Sequence, residues 1–222
     1  MMTGCFYGVG KELTMICRRT IIAFSLLIFL GGTAPVLGAG PTEAVQGKME
    51  QLISILDDPR FRDPGARGAQ KEEIRRITRQ IFDFTEISMR ALGRNWRTLS
   101  SGEKGEFREV FTELLENTYI SKIQDEYSDE KVVYLEQQMA SDNVALVRTK
   151  VIRESVDVPV DYSMRLKNGS WRIYDVRVEG VSLVKNYRTQ FAKILAKESP
   201  AQLIQRLRNK VAKQREGKEE SG

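Results

Sequence analysis

The sequence contains no histidine, and its two cysteines, Cys5 and Cys17, both lie near the N-terminus. Beyond residue 39 the chain therefore has neither thiol nor imidazole. That excludes a thiolate or imidazole metal site, a Ser-His-Asp triad and a Cys-His pair, and it leaves nothing to oxidise into a disulfide. No metal and no cofactor are expected. An apolar run of the roughly 20 residues needed to span a bilayer is also missing. The longest, Ile21–Leu30, has ten residues. There is no internal repeat and no heptad run. Nor is there a strong excess of charge. The formal net charge is +5, and the first 39 residues carry Lys11, Arg18 and Arg19 against Glu12, so the remainder holds 32 basic and 29 acidic residues, a net +3. So mild a balance does not argue for nucleic acid.

What is present begins with an export signal over residues 1–39. A basic n-region precedes the apolar Ile21–Leu30, and small residues around Gly38 and Ala39 offer a cleavage point. Met15, just ahead of the basic pair, is an alternative start. An uncleaved anchor is the other reading of this segment. A lipoprotein is disfavoured, because neither cysteine follows the apolar run. The remaining chain, 29% charged and 41% hydrophobic overall, is globular in composition and long enough for one domain over residues 40–212. A polar tail follows over 213–222.

Helical spacing comes first. Thr42 can cap a helix whose apolar stripe is Val45, Met49, Leu52, Ile53 and Leu56, ended by Asp57-Asp58-Pro59. Residues 60–69 form a Pro- and Gly-bearing loop. Ile74, Ile77 and Ile81 mark a second helix, and a short third one runs to the stop at Gly93. Ser100 with Glu103 fits a capping box. It opens the longest helix, with Phe107, Val110, Phe111, Leu114, Leu115, Tyr119 and Ile123 on a wide face.

After Tyr127 the period changes from 3.6 to 2. Strands are predicted over Val132–Gln138, Val144–Ile152, Val156–Leu166 and Trp171–Val178, with a hairpin at Asn168-Gly169. Pro159 suits an edge or a bulge. The stretch Gly169–Phe191 organises the rest: it starts as a strand, breaks at Gly180, and continues with helical spacing through Val181, Val184, Tyr187 and Phe191. Ser199-Pro200 starts a last helix with Leu203, Ile204, Leu207 and Val211. Helices, then about four antiparallel strands, then helices make an α+β fold with a twisted sheet.

Few groups here suit catalysis. Asp175 falls on an inward strand position, as a buried acid or as a carboxylate that holds the Gly180 turn. Asp157 and Asp161 share a strand face, but the wet one, where solvated carboxylates are expected. Arg188 could take a phosphate or carboxylate, or serve a surface ion pair. Arg206, Arg208, Lys210, Lys213 and Arg215 make the last helix basic, either for anionic lipid or as a solvated face. The apolar surplus is the larger signal. It is spread over Phe84, Phe111, Leu115 and Tyr119 on helices, over Tyr134, Val147, Val160, Tyr162, Met164, Tyr174, Val176 and Val178 on strands, and over Val184, Tyr187 and Phe191 beyond. Such a set builds an ordinary core or the wall of a cavity for an apolar ligand, and periodicity does not separate the two.

The run W-R-I-Y-D-V-R-V-E-G-V-S-L-V-K-N-Y-R-T-Q-F, Trp171–Phe191, resembles the MlaC family, also known as toluene-tolerance auxiliary proteins. The upstream pieces F-D-F-T-E-I-S-M-R-A-L-G-R-N-W-R-T-L-S and E-F-x-x-x-F-x-x-L-L-x-x-T-Y stand in the same order, so the similarity covers about Met49–Leu207. The resemblance implies a periplasmic, non-enzymatic phospholipid shuttle of a double-membrane bacterium, working in outer-membrane lipid asymmetry. Its partners would be an inner-membrane ABC transporter complex and an outer-membrane lipoprotein complex. It implies a sheet wrapped by helices in an NTF2-like cone, with lipid tails in a deep apolar cavity and the headgroup near solvent. On that reading the apolar residues named above form the lipid wall and Arg188 contacts the headgroup. An NTF2-like periplasmic enzyme using Asp175, or a chaperone-like binding module, is the alternative.

Overall fold

Local chemistry sets where each element begins. The computed structural model describes residues 39–153 and 156–217, so the export signal read at residues 1–39 lies, except for Ala39, outside the described residues. Helix α1, Pro41–Leu56, has Gly40 at its cap and Pro41 in its first turn, where a missing N–H costs nothing. Thr42 does not cap it. Its N–H and hydroxyl both donate to Gln137 Oε1, at 3.1 and 2.8 Å, which ties α1 to the first strand. Two short 3₁₀ turns, Pro59–Phe61 and Pro64–Ala66, lead to α2, Arg67–Ile81. Helix α3, Phe84–Leu92, is capped by Asp83, whose Oδ1 accepts from the Glu86 N–H at 3.1 Å, and it stops at Gly93 with φ +57°. A 3₁₀ turn, Gly93–Thr98, precedes α4, Ser101–Glu126, and α4 opens with the expected Ser100–Glu103 capping box.

Among the described residues, five antiparallel strands follow in sequence order: β1 Lys131–Ser141, β2 Val144–Ile152, β3 Asp157–Lys167, β4 Ser170–Val178 and β5 Val181–Ser182. The fifth was not expected. Glu179 and Gly180 both take positive φ, +51° and +80°, the geometry of a tight two-residue hairpin. So the chain pairs back on β4, Val178 with Val181, before it turns helical. Asn168 and Gly169 make the other predicted hairpin, at φ +50° and +74°. Pro159 lies on a central strand, opposite Lys150 of β2. Its carbonyl accepts from the N–H of Glu179, one residue past the end of β4, at 2.9 Å. Its own missing N–H would point the same way, past the end of β4, where no strand needs it.

Helix α5, Leu183–Leu195, and α6, Pro200–Arg215, complete the α+β fold. Helix α6 runs past the expected boundary at residue 212. Arg215 pairs with Glu113 of α4 at 2.6 Å and Gln214 Nε2 donates to Thr118 Oγ1 at 2.7 Å. The basic character of α6 is largely spent in this way, with Arg208 on Glu106 at 3.0 Å and Arg206 on Glu198 at 2.6 Å. Among the described residues, three apolar clusters hold the fold. The largest joins α3, α4, α5 and α6 around Phe107, Phe111 and Phe191. A second presses Val45 of α1 onto Val147, Tyr162, Met164 and Ile173 of the sheet. The smallest, Leu52, Ile74 and Ile120, bridges α1, α2 and α4.

Candidate functional site

Between these clusters the packing stops short. A cavity of about 620 Å³ lies among α1, α2, α4 and the sheet, within the range of about 300–1,000 Å³ common for ligand sites. Each element contributes through its apolar stripe: Met49, Leu52, Ile53 and Leu56 from α1; Ile77 and Ile81 from α2; Leu115, Tyr119, Ile120 and Ile123 from α4. The sheet adds Val132, Val151, Val158, Val160, Tyr162, Val176 and Val178. Phe82 and Phe84, with ring centroids 5.8 Å apart, close one side. The mouth is marked by lining residues that are also exposed. They include Val181 at 64%, Val178 at 45% and Tyr119 at 38% of full exposure.

Of the residues expected on the wall, the structure brings Phe84, Leu115, Tyr119, Val160, Tyr162, Val176 and Val178 together around this cavity. It places the others elsewhere. Phe111, Val184, Tyr187 and Phe191 belong to the helical cluster. There Phe111 meets Tyr187 edge-on with centroids 4.9 Å apart, and Phe191 at 5.2 Å. Val147 and Met164 are fully buried under α1, and Tyr134 packs beside them. Tyr174 lies under the Arg90 guanidinium of α3, 4.1 Å from its ring centre. Arg188 is also away from the cavity lining. Its Nε donates to the Arg90 carbonyl at 2.6 Å and its side chain packs over Gly93, placing a cation at the C-terminus of α3.

The Tyr174 position follows from a bulge. Register shifts between Ser163 and Met164 against β4, where Ser163 faces Asp175 but Met164 faces Ile173. One extra residue in β4 lets Trp171 and Ile173 on one side of it, and Val176 and Val178 on the other, share a face. The sequence alternation breaks at the same place, and that break is the signal that could have found the bulge. The wall residues of α1 and α2 were legible only as helical stripes, which do not say whether core or cavity lies opposite.

The polar groups of the lining are mostly engaged. Asp175 accepts from Ser182 Oγ at 2.6 Å and from the Val184 N–H at 3.0 Å, so it holds the β5 turn onto α5. Glu116, buried, takes Arg79 Nε at 2.7 Å and Arg75 Nε at 3.1 Å. Arg153 spans Glu130 at 3.0 Å and Glu126 at 3.5 Å. Burial pushes the Tyr162 phenol up to about 12, with a hydrogen bond between it and Thr149 working the other way, so this wall residue stays neutral. Burial also raises the Tyr119 phenol, against a hydrogen bond with Tyr187. Among the described residues, the charged lining groups Glu116, Glu126, Glu130, Arg153 and Asp175 are each held by the contacts just given.

A larger, more open cleft of about 760 Å³ adjoins the cavity and shares Phe82, Phe84 and Glu116 with it. Its lining is polar, and its cations are largely bound already: Arg75 and Arg79 to Glu116, and Lys167 to Asp83 at 2.6 Å. It resembles a solvated surface groove more than a site.

Comparison with known proteins agrees with this geometry. The family model "MlaC protein" matches residues 46–209. The chain is 21% identical over 198 residues to the intermembrane phospholipid transport system binding protein MlaC of Haemophilus influenzae, across 87% of this chain and 92% of that protein. Its fold matches a phospholipid-binding protein from Ralstonia solanacearum, solved in complex with a phospholipid, with a TM-score of 0.68 and 24% identity. That match covers 79% of this chain and 99% of the other. Apolar stripes, meander sheet and cavity thus meet in one lineage: the chain belongs to the MlaC family.

Proposed function

We propose that this protein binds a phospholipid in the 620 Å³ cavity and carries it between membranes without changing it chemically. The observation that carries the reading is an aliphatic and aromatic cavity open to solvent, in a chain of the MlaC family. The relative from Haemophilus influenzae is a binding protein of intermembrane phospholipid transport, and the structural neighbour was solved with a phospholipid. The physics favours such a device. Each CH₂ removed from water contributes about 0.8 kcal/mol, so a two-chain lipid with roughly 30 of them loses on the order of 20 kcal/mol on entering an aqueous gap alone. A cavity that matches the bilayer interior removes that barrier, and it must not bind so tightly that release fails.

In this reading residues 1–39 export the chain to the periplasm and residues 40–212 act as the lipid-binding domain. The donor and acceptor are an inner-membrane ABC transporter complex and an outer-membrane lipoprotein complex. Organic extraction of the purified protein, followed by mass spectrometry, tests it. Phospholipid at close to one molecule per chain is expected. Protein that carries none, and takes none from vesicles, overturns it.

A further inference from the structure

Six charged side chains border the cavity: Glu116, Lys122, Glu126, Glu130, Arg153 and Asp175. Five are committed by the contacts described above. Lys122 is different. It is exposed, it sits on α4 at the mouth three residues from Tyr119, and it forms no ion pair or hydrogen bond among the described residues. Glu126, one turn further along α4, is engaged by Arg153 instead.

Asn186 of α5 borders the same cavity and is also exposed. Its Oδ1 accepts from Gln190 Nε2 at 3.2 Å, which leaves its amide N–H donors without an acceptor among the described residues. Tyr119, three residues before Lys122, is hydrogen-bonded to Tyr187, the residue after Asn186, and all but Tyr187 line the same cavity. So an uncommitted cation and an uncommitted amide stand at the rim of an otherwise aliphatic cavity.

We infer that Lys122 and Asn186 form the subsite for the phosphodiester of the bound phospholipid, resting on the reading given under Proposed function. The phosphate cannot follow the tails inward, because an unpaired anion in an aliphatic wall is prohibitively costly. It stops at the rim, where Lys122 supplies a point charge and Asn186 a directional donor. The lipid is thereby held headgroup-out. Because the site is exposed, its contribution is modest and salt-sensitive.

The test is reloading of the delipidated full chain from vesicles of phosphatidylglycerol, and separately with diacylglycerol of the same acyl chains. Binding of inorganic phosphate alone is measured alongside. The wild type is expected to prefer phosphatidylglycerol. Lys122→Glu should weaken that lipid by about fivefold or more and leave diacylglycerol unchanged, with Asn186→Ala giving a smaller loss of the same kind. Lys193→Glu, exposed on the same helix but off the cavity lining, should change neither. The preference should shrink as salt rises from about 0.05 M to about 0.5 M. Equal weakening of both ligands by Lys122→Glu, or of neither, overturns the inference while leaving the carrier reading intact. So does inorganic phosphate binding as tightly as the phospholipid, which would make this a free-phosphate site. A wild type that loads neither lipid overturns both.

Discussion

Val160 lines the cavity from β3, two residues before Tyr162, and both are almost fully buried. A larger side chain at Val160 has open space to enter, so it fills the cavity instead of straining a packed core. Val160→Trp is therefore expected to fold with little change in melting temperature and to carry much less lipid. Circular dichroism and quantitative lipid extraction on one preparation check both halves. Asp175 is the contrasting residue. Asp175→Ala leaves the buried Val184 N–H and the Ser182 hydroxyl without their acceptor, at a cost of about 2 kcal/mol. Asp175→Asn keeps one acceptor oxygen and should lose clearly less, by urea unfolding. At this scale the sequence was half legible. Asp175 could be read as a turn-holding carboxylate from its position before Gly180. Tyr174 could not be placed, because a one-residue bulge changes the face of everything beyond it.

At the scale of elements, the α2–α3 junction pins helices to sheet. Phe82 bridges to Ile173, and the Asp83 N–H donates to the Ile173 carbonyl at 2.8 Å. The Asp83 carboxylate caps α3 and receives Lys167 Nζ from the β3–β4 hairpin at 2.6 Å. Burial works to raise this carboxyl, but Lys167 and the N–H groups of Glu86 and Thr85 outweigh it and hold it below the ordinary range. A depressed folded value means that the carboxylate stabilises above the unfolded value of about 3.9 and that this is lost as pH falls through the folded value. The stability difference between wild type and Asp83→Asn should thus be constant near neutral pH and shrink below about pH 4 in denaturant titrations. The α2–α4 contact is more exacting. Glu116 is buried to 3% exposure beneath Arg75 and Arg79. Replacing both arginines by Met leaves a buried carboxylate without a cation, which should cost about 3 kcal/mol or more. Glu116→Gln in the same double variant should recover most of it. Helix α4 itself shows why a sequence stripe is ambiguous. Phe107, Phe111 and Leu114 enter the helical core, while Tyr119 and Ile123, two turns on, face the cavity.

For the whole molecule, the cavity is an energetic problem as well as a site. A dry void of 620 Å³ at about 24 cal/mol per Å³ would cost about 15 kcal/mol, as much as the entire stability of an ordinary domain. The protein therefore exists filled, wetted through its mouth, or partly collapsed. A ligand present at about a hundred times its dissociation constant adds about 2.7 kcal/mol, equivalent to roughly 5–10 °C in a chain of this size. Delipidated protein should melt lower by about that margin and recover on reloading from vesicles, as followed by calorimetry. Unchanged melting after reloading would mean that the lipid does not enter the fold.

By itself the sequence determined the order of the helices and the four long strands, the capping box at Ser100, the helix start at Ser199-Pro200, the Asn168-Gly169 hairpin and the absence of imidazole and thiol beyond residue 39. These depend on neighbours within a few positions or on composition, so they are written locally. Only the tertiary structure decided that Leu115, Val160 and Val178 border a cavity while Phe111, Val147 and Phe191 fill the core. Both sets are apolar for the same reason, removal from water. What distinguishes them is whether another element of the chain arrives opposite. That depends on helices and strands far apart in sequence, and no spacing rule along the chain encodes it.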